Sequence, residues 1–148
     1  MDCPDKVILR EIQSGDRVAG FSMGDRKYQA LKTFLQKDAK TFHNENIART
    51  YVLVDPDATV PDVIGYITLI CSEITCKGGN ATTANARADA YDTMPGVKIG
   101  RFAVHKDCQG MKYGTDLINW TLAEIITEIM PRIGCRFLIV DSKPGQSH

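Results

Sequence analysis

The sequence predicts a single α/β domain, and three observations carry that reading. β-Branched and aromatic runs recur at residues 48–55, 63–73, 98–105 and 136–141. Stretches with apolar residues at steps of three and four lie between or before them, at 28–42 and 115–130. Pro, Gly and Asp punctuate the junctions. A chain of 148 residues without an internal repeat has room for one core of the usual size, ~100–150 residues.

Val7, Ile8, Leu9 and Ile12 predict a first strand within residues 6–12. Ser22 stands three residues before Asp25, an acidic variant of the capping-box spacing, and opens a helical stretch. There Tyr28, Leu31, Leu35, Ala39 and Phe42 share one face. The other side is basic. Between residues 26 and 49, Arg26, Lys27, Lys32, Lys37, Lys40 and Arg49 stand against Asp38 and Glu45 alone. Such a face is either simply solvated or the seat of an anionic partner. Residues 48–55 and 63–73 predict a hairpin across the turn 56–62. Residues 77–92, small and polar, predict a mobile loop. The strand 98–105 is followed by a helix over 115–130, with Leu117, Trp120, Ile125 and Ile129 available for burial and Pro131 as its stop. Residues 136–141 form a last short strand, and Asp141 reads as a turn former. Strand, helix and strand in the last third predict a right-handed crossover that lays its two strands side by side.

Composition excludes several function classes. Eighteen Lys and Arg balance eighteen Asp and Glu, so no global field holds a polyanion, and any such partner needs a local patch. No apolar run has the ~18–20 residues of a membrane span, and the first residues lack the order of a secretion signal, which predicts a cytoplasmic protein without a membrane partner. The five cysteines, Cys3, Cys71, Cys76, Cys108 and Cys135, show no CxxC pair. They predict reduced thiols, with neither a disulfide framework nor a metal site.

Between the strand ending at His105 and the helix starting near Thr115 lies Lys106-Asp107-Cys108-Gln109-Gly110-Met111-Lys112-Tyr113-Gly114. A glycine-bearing turn entering a helix aims unpaired amides and the positive end of the helix dipole at one point, which suits a phosphate or diphosphate. It is neither a Walker loop nor a G-x-G-x-x-G dinucleotide turn.

The run Lys98 to His105 followed by Gln109-Gly110-Met111-Lys112-Tyr113-Gly114 resembles the fourth strand and acetyl-CoA loop, Q/R-x-x-G-x-G/A, of the GNAT N-acetyltransferase superfamily. Phe21-Ser22-Met23-Gly24 ahead of Leu31-x-x-Phe34-Leu35, with Thr50-Tyr51-Val52 and Gly65-Tyr66-Ile67-Thr68-Leu69, is similar to the branch containing the acetyltransferase toxins of bacterial toxin–antitoxin pairs. The resemblance implies a mixed, mostly antiparallel sheet with a splayed parallel strand pair, flanked by helices. It also implies acetyl-CoA as co-substrate, acetyl transfer to a primary amine such as that of an aminoacyl-tRNA, a ribbon-helix-helix antitoxin and a homodimer.

On this resemblance Phe102, Ala103, Val104, Gln109, Gly110, Met111, Lys112, Tyr113, Gly114 and Thr115 hold the coenzyme, the backbone of 110–115 gripping its diphosphate and amides near Ala103 and Val104 polarising the thioester. Lys27, Lys32, Lys37, Lys40, Arg49 and Arg101 are the expected contacts to an RNA acceptor. Glu73 and His105, each closing a strand, are the titrating candidates for a base; the imidazole has the more useful ordinary pKa, ~6.5. An α-amine, at ~7.7–8.0, is already partly neutral without one. Two departures stand out. Lys112 occupies the place of the loop's central glycine, and the domain of residues 1–148 is expected to lack the family's last helix, with its sulfur-protonating tyrosine, and last strand, so that either the sequence is a piece of a longer one, the favoured reading, or the protein lacks that acid. The alternative is a GNAT-like module that binds acetyl-CoA or a protein without turnover.

Overall fold

The computed structural model describes residues 1–75 and 91–140. The loop expected at 77–92 lies almost wholly outside the described residues, as does Asp141. In chain order the elements are β1 (Ile8–Glu11), a 3₁₀ turn (Arg26–Tyr28), α1 (Gln29–Lys37), α2 (Ala39–Asn44), β2 (Arg49–Val54), β3 (Gly65–Thr75), β4 (Thr93–Val104), a 3₁₀ turn (Lys106–Cys108), α3 (Tyr113–Glu124) running into a π turn (Ile125–Ile129), and β5 (Phe137–Val140). The strands form one sheet in sequence order. The first three pairings are antiparallel, with Tyr51 opposite Ile67 and Gly65 opposite Val104. The last, β4 with β5, is parallel, as the crossover predicts.

Both faces of the sheet are covered, because side chains alternate along each strand. Val52, Val54, Tyr66 and Ala103 pack with Phe34, Leu35 and Ala39 of α1 and α2 on one side. Leu53, Ile67 and Val104, one residue out of step with the first set, pack with Tyr113 and Leu117 of α3 on the other. Buried polar groups in this sandwich are paired: the Thr50 and Thr68 hydroxyls meet at 3.1 Å, and the Thr50 amide donates to His43 Nδ1 at 2.9 Å. Burial holds the His43 pKa below its ordinary value, with the Arg49 charge acting the same way. Among the described residues no helix is long and apolar enough to cross a membrane.

Three expectations change in detail. The 3₁₀ turn that leads into α1 is capped by Asp25, whose carboxylate accepts from the Lys27 amide at 3.0 Å, not by Ser22. The early helix also breaks at Asp38 into α1 and α2. β4 starts at Thr93 rather than near residue 98, running through Pro95 and Gly96, which read as breakers in the sequence. Pro95 sits just before the β5 pairing begins, its carbonyl taking the Arg136 amide at 2.9 Å, so its missing N–H falls beyond the ladder. At Gly96 an added Cβ would lie 2.7 Å from the Phe137 carbonyl oxygen, so a side chain here would push β5 away.

The expectation of reduced thiols is overturned for one pair of cysteines. Cys3 and Cys108 form a disulfide, while Cys71 and Cys135 are free. Spacing could not reveal a bond between residues 105 apart, since connectivity depends on the fold bringing the sulfurs together.

Candidate coenzyme cleft

The site begins where β5 ends. The last β4–β5 pair is Ile99 with Val140, and the next residue, Gly100, is an extra one in the β3–β4 ladder: Thr68 pairs with Arg101 and Leu69 with Ile99. A bulge bends its strand, and from Gly100 to Val104 one edge of β4 has no strand partner among the described residues. The peptides on that edge follow from alternation. The His105 amide donates back to Ile64 at 2.7 Å, which turns those of Val104 and Phe102 the other way, toward the opening. Val104 confirms the direction, since its carbonyl accepts the Gln109 side-chain amide at 3.1 Å. Ala103, opposite Tyr66 and buried on the α1 side, presents its peptide to β3 instead. The amide expected near Ala103 and Val104 is therefore that of Val104.

Beyond β4 the chain makes its 3₁₀ turn, passes Gln109, and enters α3. Gly110 has φ +88° and Lys112 φ +68°. Lys112 thus adopts the left-handed conformation that a glycine takes readily, which preserves the path of a loop with glycine there. No side chain caps α3, so the first-turn amides keep their hydrogen-bonding capacity and the dipole remains unmasked. Met111, Lys112 and Thr115 are exposed. An added Cβ on Gly114 would stand 3.4 Å from the Phe102 ring, which places the first turn of α3 directly against the unpaired part of β4. Tyr113 is turned inward, its hydroxyl donating to the Pro4 carbonyl. Burial raises its pKa, helped by Asp5 and Asp116.

The two base candidates are far apart. Glu73 is exposed and pairs with Pro95, ten residues along β4 from His105, a separation of about 30 Å at the rise of a strand. His105 is buried with both ring nitrogens engaged: Nδ1 accepts the Asp107 amide at 3.0 Å, so Nε2 carries the proton and donates to the Gly20 carbonyl at 3.1 Å. It caps a turn and packs edge-on against Phe21, leaving no lone pair for a substrate.

The six expected cations also separate. Lys40 donates to the Ser14 and Asp16 carbonyls at 2.8 and 2.7 Å, and Arg49 binds Glu11, the His43 carbonyl and Asn46, so both are occupied within the fold. Lys27 lies over the Tyr28 ring and Arg101 over the Phe34 ring. Lys37 is exposed, and Lys32 lines a shallow cavity of about 130 Å³ with Arg26, Gln29 and the segment 22–25. The sequence reading missed Lys106. Its amide donates to Ser22 at 2.8 Å and its stem lies beside Gly24, bringing that cavity next to the turn that follows β4. Only a long-range contact places it there, and no local pattern carries that signal.

No family model matches the chain, and no curated protein matches it. Solved structures do. A tyrosine-to-phenylalanine variant of KacT is 27% identical, with a TM-score of 0.79 over 94% of this chain and 79% of that one. AtaT complexed with acetyl-methionyl-tRNAfMet gives 0.79 at 21% identity, over 95% of this chain and 80% of AtaT. The fold is that of the GNAT-type toxins. A third GNAT-type match, AtaTR bound with acetyl-CoA, has a TM-score of 0.74 at 21% identity and covers 94% of this chain and 78% of its own. Another holds AtaT with the C-terminus of the antitoxin AtaR.

Proposed function

We propose that the protein is an acetyl-CoA-dependent N-acetyltransferase of the toxin type, acting on the amino group of an aminoacyl-tRNA. The observation that carries the reading is the junction at Phe102 and Gly114, where a helix N-terminus without a side-chain cap abuts a strand edge that has no partner among the described residues. The amides of 110–115 bind a diphosphate, assisted by the exposed Lys112 charge. Acetyl-CoA supplies an acetyl group activated as a thioester. The Val104 amide, without a strand partner among the described residues, donates to the oxygen on which charge develops, a role worth ~3–4 kcal/mol in acyl transfer. The amine approaches from the α1 side, past Arg101 and the cavity beside Lys32. An α-amine is partly neutral near pH 7, and with His105 committed to a turn and Glu73 remote, attack proceeds without a dedicated side-chain base. The proposal extends to a cytoplasmic location, a homodimer and a ribbon-helix-helix antitoxin, of which only the binding of an antitoxin has support, from the AtaR complex of AtaT.

Calorimetry with acetyl-CoA and CoA, followed by thiol release over a panel of amines and aminoacyl-tRNAs, tests the reading. Tight binding with release on aminoacyl-tRNA supports it. Binding without release on any acceptor identifies a non-catalytic coenzyme-binding module, and no binding refutes both.

A further inference from the structure

We infer that the segment around Cys3 and Pro4 is a positioning strap for the diphosphate loop, locked by the Cys3–Cys108 disulfide, so that the redox state of this pair sets the affinity for acetyl-CoA. This rests on the coenzyme reading proposed above. Cys108 is fully buried and closes the 3₁₀ turn one residue before Gln109. Tyr113, the first residue of α3, donates its hydroxyl to the Pro4 carbonyl. The four residues between, Gln109 to Lys112, are all exposed, and a Cβ added to Gly110 would touch nothing. The loop that must present its amides is thus anchored at both ends by two adjacent residues of the N-terminal segment, covalently on one side and by a hydrogen bond on the other. Apart from the Gln109 contact to Val104, the loop has little packing of its own to fix it. Anchoring removes loop freedom before the ligand arrives and so lowers the entropic cost of binding.

Cys3 is the more accessible sulfur. A dithiol reductant attacks it as a thiolate, expelling Cys108 as a thiolate that takes up a proton. The reagent's second thiol then displaces Cys3, so two electrons and two protons enter the protein and the reagent leaves as a cyclic disulfide. The buried Cys108 thiol stays with its turn, and the strap is left with the Tyr113 bond and the ion pair of the Met1 ammonium with Asp107 at 2.9 Å, neither of them covalent.

The test is calorimetric titration of the full chain with acetyl-CoA, oxidised, reduced with dithiothreitol, and as Cys3→Ser, with circular dichroism reporting the folded fraction. Reduction is expected to raise Kd about tenfold, with kcat at saturating coenzyme within twofold of the oxidised value. Re-oxidation restores Kd, and Cys3→Ser shows the weaker value with or without reductant. Tyr113→Phe, which cuts the other anchor and leaves the disulfide, should also weaken binding, and it serves should Cys3→Ser not fold. Equal Kd in the oxidised and reduced folded proteins overturns the strap while leaving the transferase reading intact. Absence of binding in the oxidised protein overturns the transferase reading and the strap together.

Discussion

Arg101 of β4 lays its guanidinium carbon 3.9 Å from the centre of the Phe34 ring on α1. The contact ties the strand that carries Val104 to α1. It also holds a positive charge beside the phenol of Tyr66, whose pKa burial drives well above the ordinary value even though Arg101 pulls the other way. Tyr66 therefore stays neutral and donates to the Leu31 carbonyl at 2.6 Å.

From this pairing Arg101→Ala should lose about 0.5–2 kcal/mol of stability, the range for a cation over an aromatic face. Arg101→Met should recover part of that through packing without restoring the charge. If Arg101 also meets the acceptor's phosphates, both variants raise the KM for aminoacyl-tRNA alike. Thermal melts and steady-state kinetics separate the two contributions, and an unchanged KM in both confines Arg101 to the fold.

The basic face should divide along structural lines. Lys32→Glu and Lys37→Glu are expected to weaken aminoacyl-tRNA binding and each to reduce the salt slope by about one. Lys40→Glu should instead lower the melting temperature, because its ammonium is bonded to the Ser14 and Asp16 carbonyls. Filter binding across a salt series, beside thermal melts, distinguishes the groups. Equal RNA effects from all three would dissolve the division.

Lys112 separates conformation from charge. A non-glycine residue at φ +68° carries about 1–2 kcal/mol of strain. Lys112→Gly relieves it, partly offset by the greater freedom of glycine in the unfolded chain. Lys112→Ala removes the same charge and keeps the strain. Both variants should weaken acetyl-CoA by a similar factor, about three- to tenfold for one lost phosphate contact, while only the glycine variant melts higher than the alanine one. Divergent coenzyme affinities would mean that the loop's shape, not the ammonium, sets binding.

These contrasts show where the sequence was informative. Strand alternation at Val52, Leu53 and Val54 follows from local pattern, and so does the parallel pairing implied by strand, helix and strand around α3. The turn Gln109 to Gly114 was legible as a glycine-bearing turn entering a helix, because that geometry is written in consecutive residues. What pattern could not supply were relations set by distant contacts. His105 looks like a free base until Gly20 is brought to its Nε2, and Lys40 and Arg49 look like open cations until Asp16 and Glu11 close on them. Cys3 looks like an idle thiol until residues 105 positions away fold beside it. The start of β4 at Thr93 was not legible either, since Pro95 and Gly96 are poor strand formers by local propensity and are accommodated where β5 begins.

Acid should find one weak point. Asp16 is buried, and burial alone would raise its pKa, but Arg10 grips both carboxylate oxygens at 2.8 and 2.7 Å and the Gln13 amide adds a third bond, so the net effect is a lowered pKa. A carboxylate whose folded pKa lies below its unfolded value of ~3.9 contributes stability that is complete above that value and is lost as pH falls through the folded one. The wild type should therefore lose stability steeply below about pH 4. Asp16→Asn breaks the pair at all pH values and leaves Arg10 only partly solvated, so it should be destabilised by about 3 kcal/mol near pH 7, the low end for a broken buried pair. Its stability should then change less than that of the wild type between pH 5 and pH 2.5, because the group that titrates there is gone. Urea melts of both proteins across that interval measure the difference. Parallel curves would show that the acid response belongs to carboxylates other than Asp16.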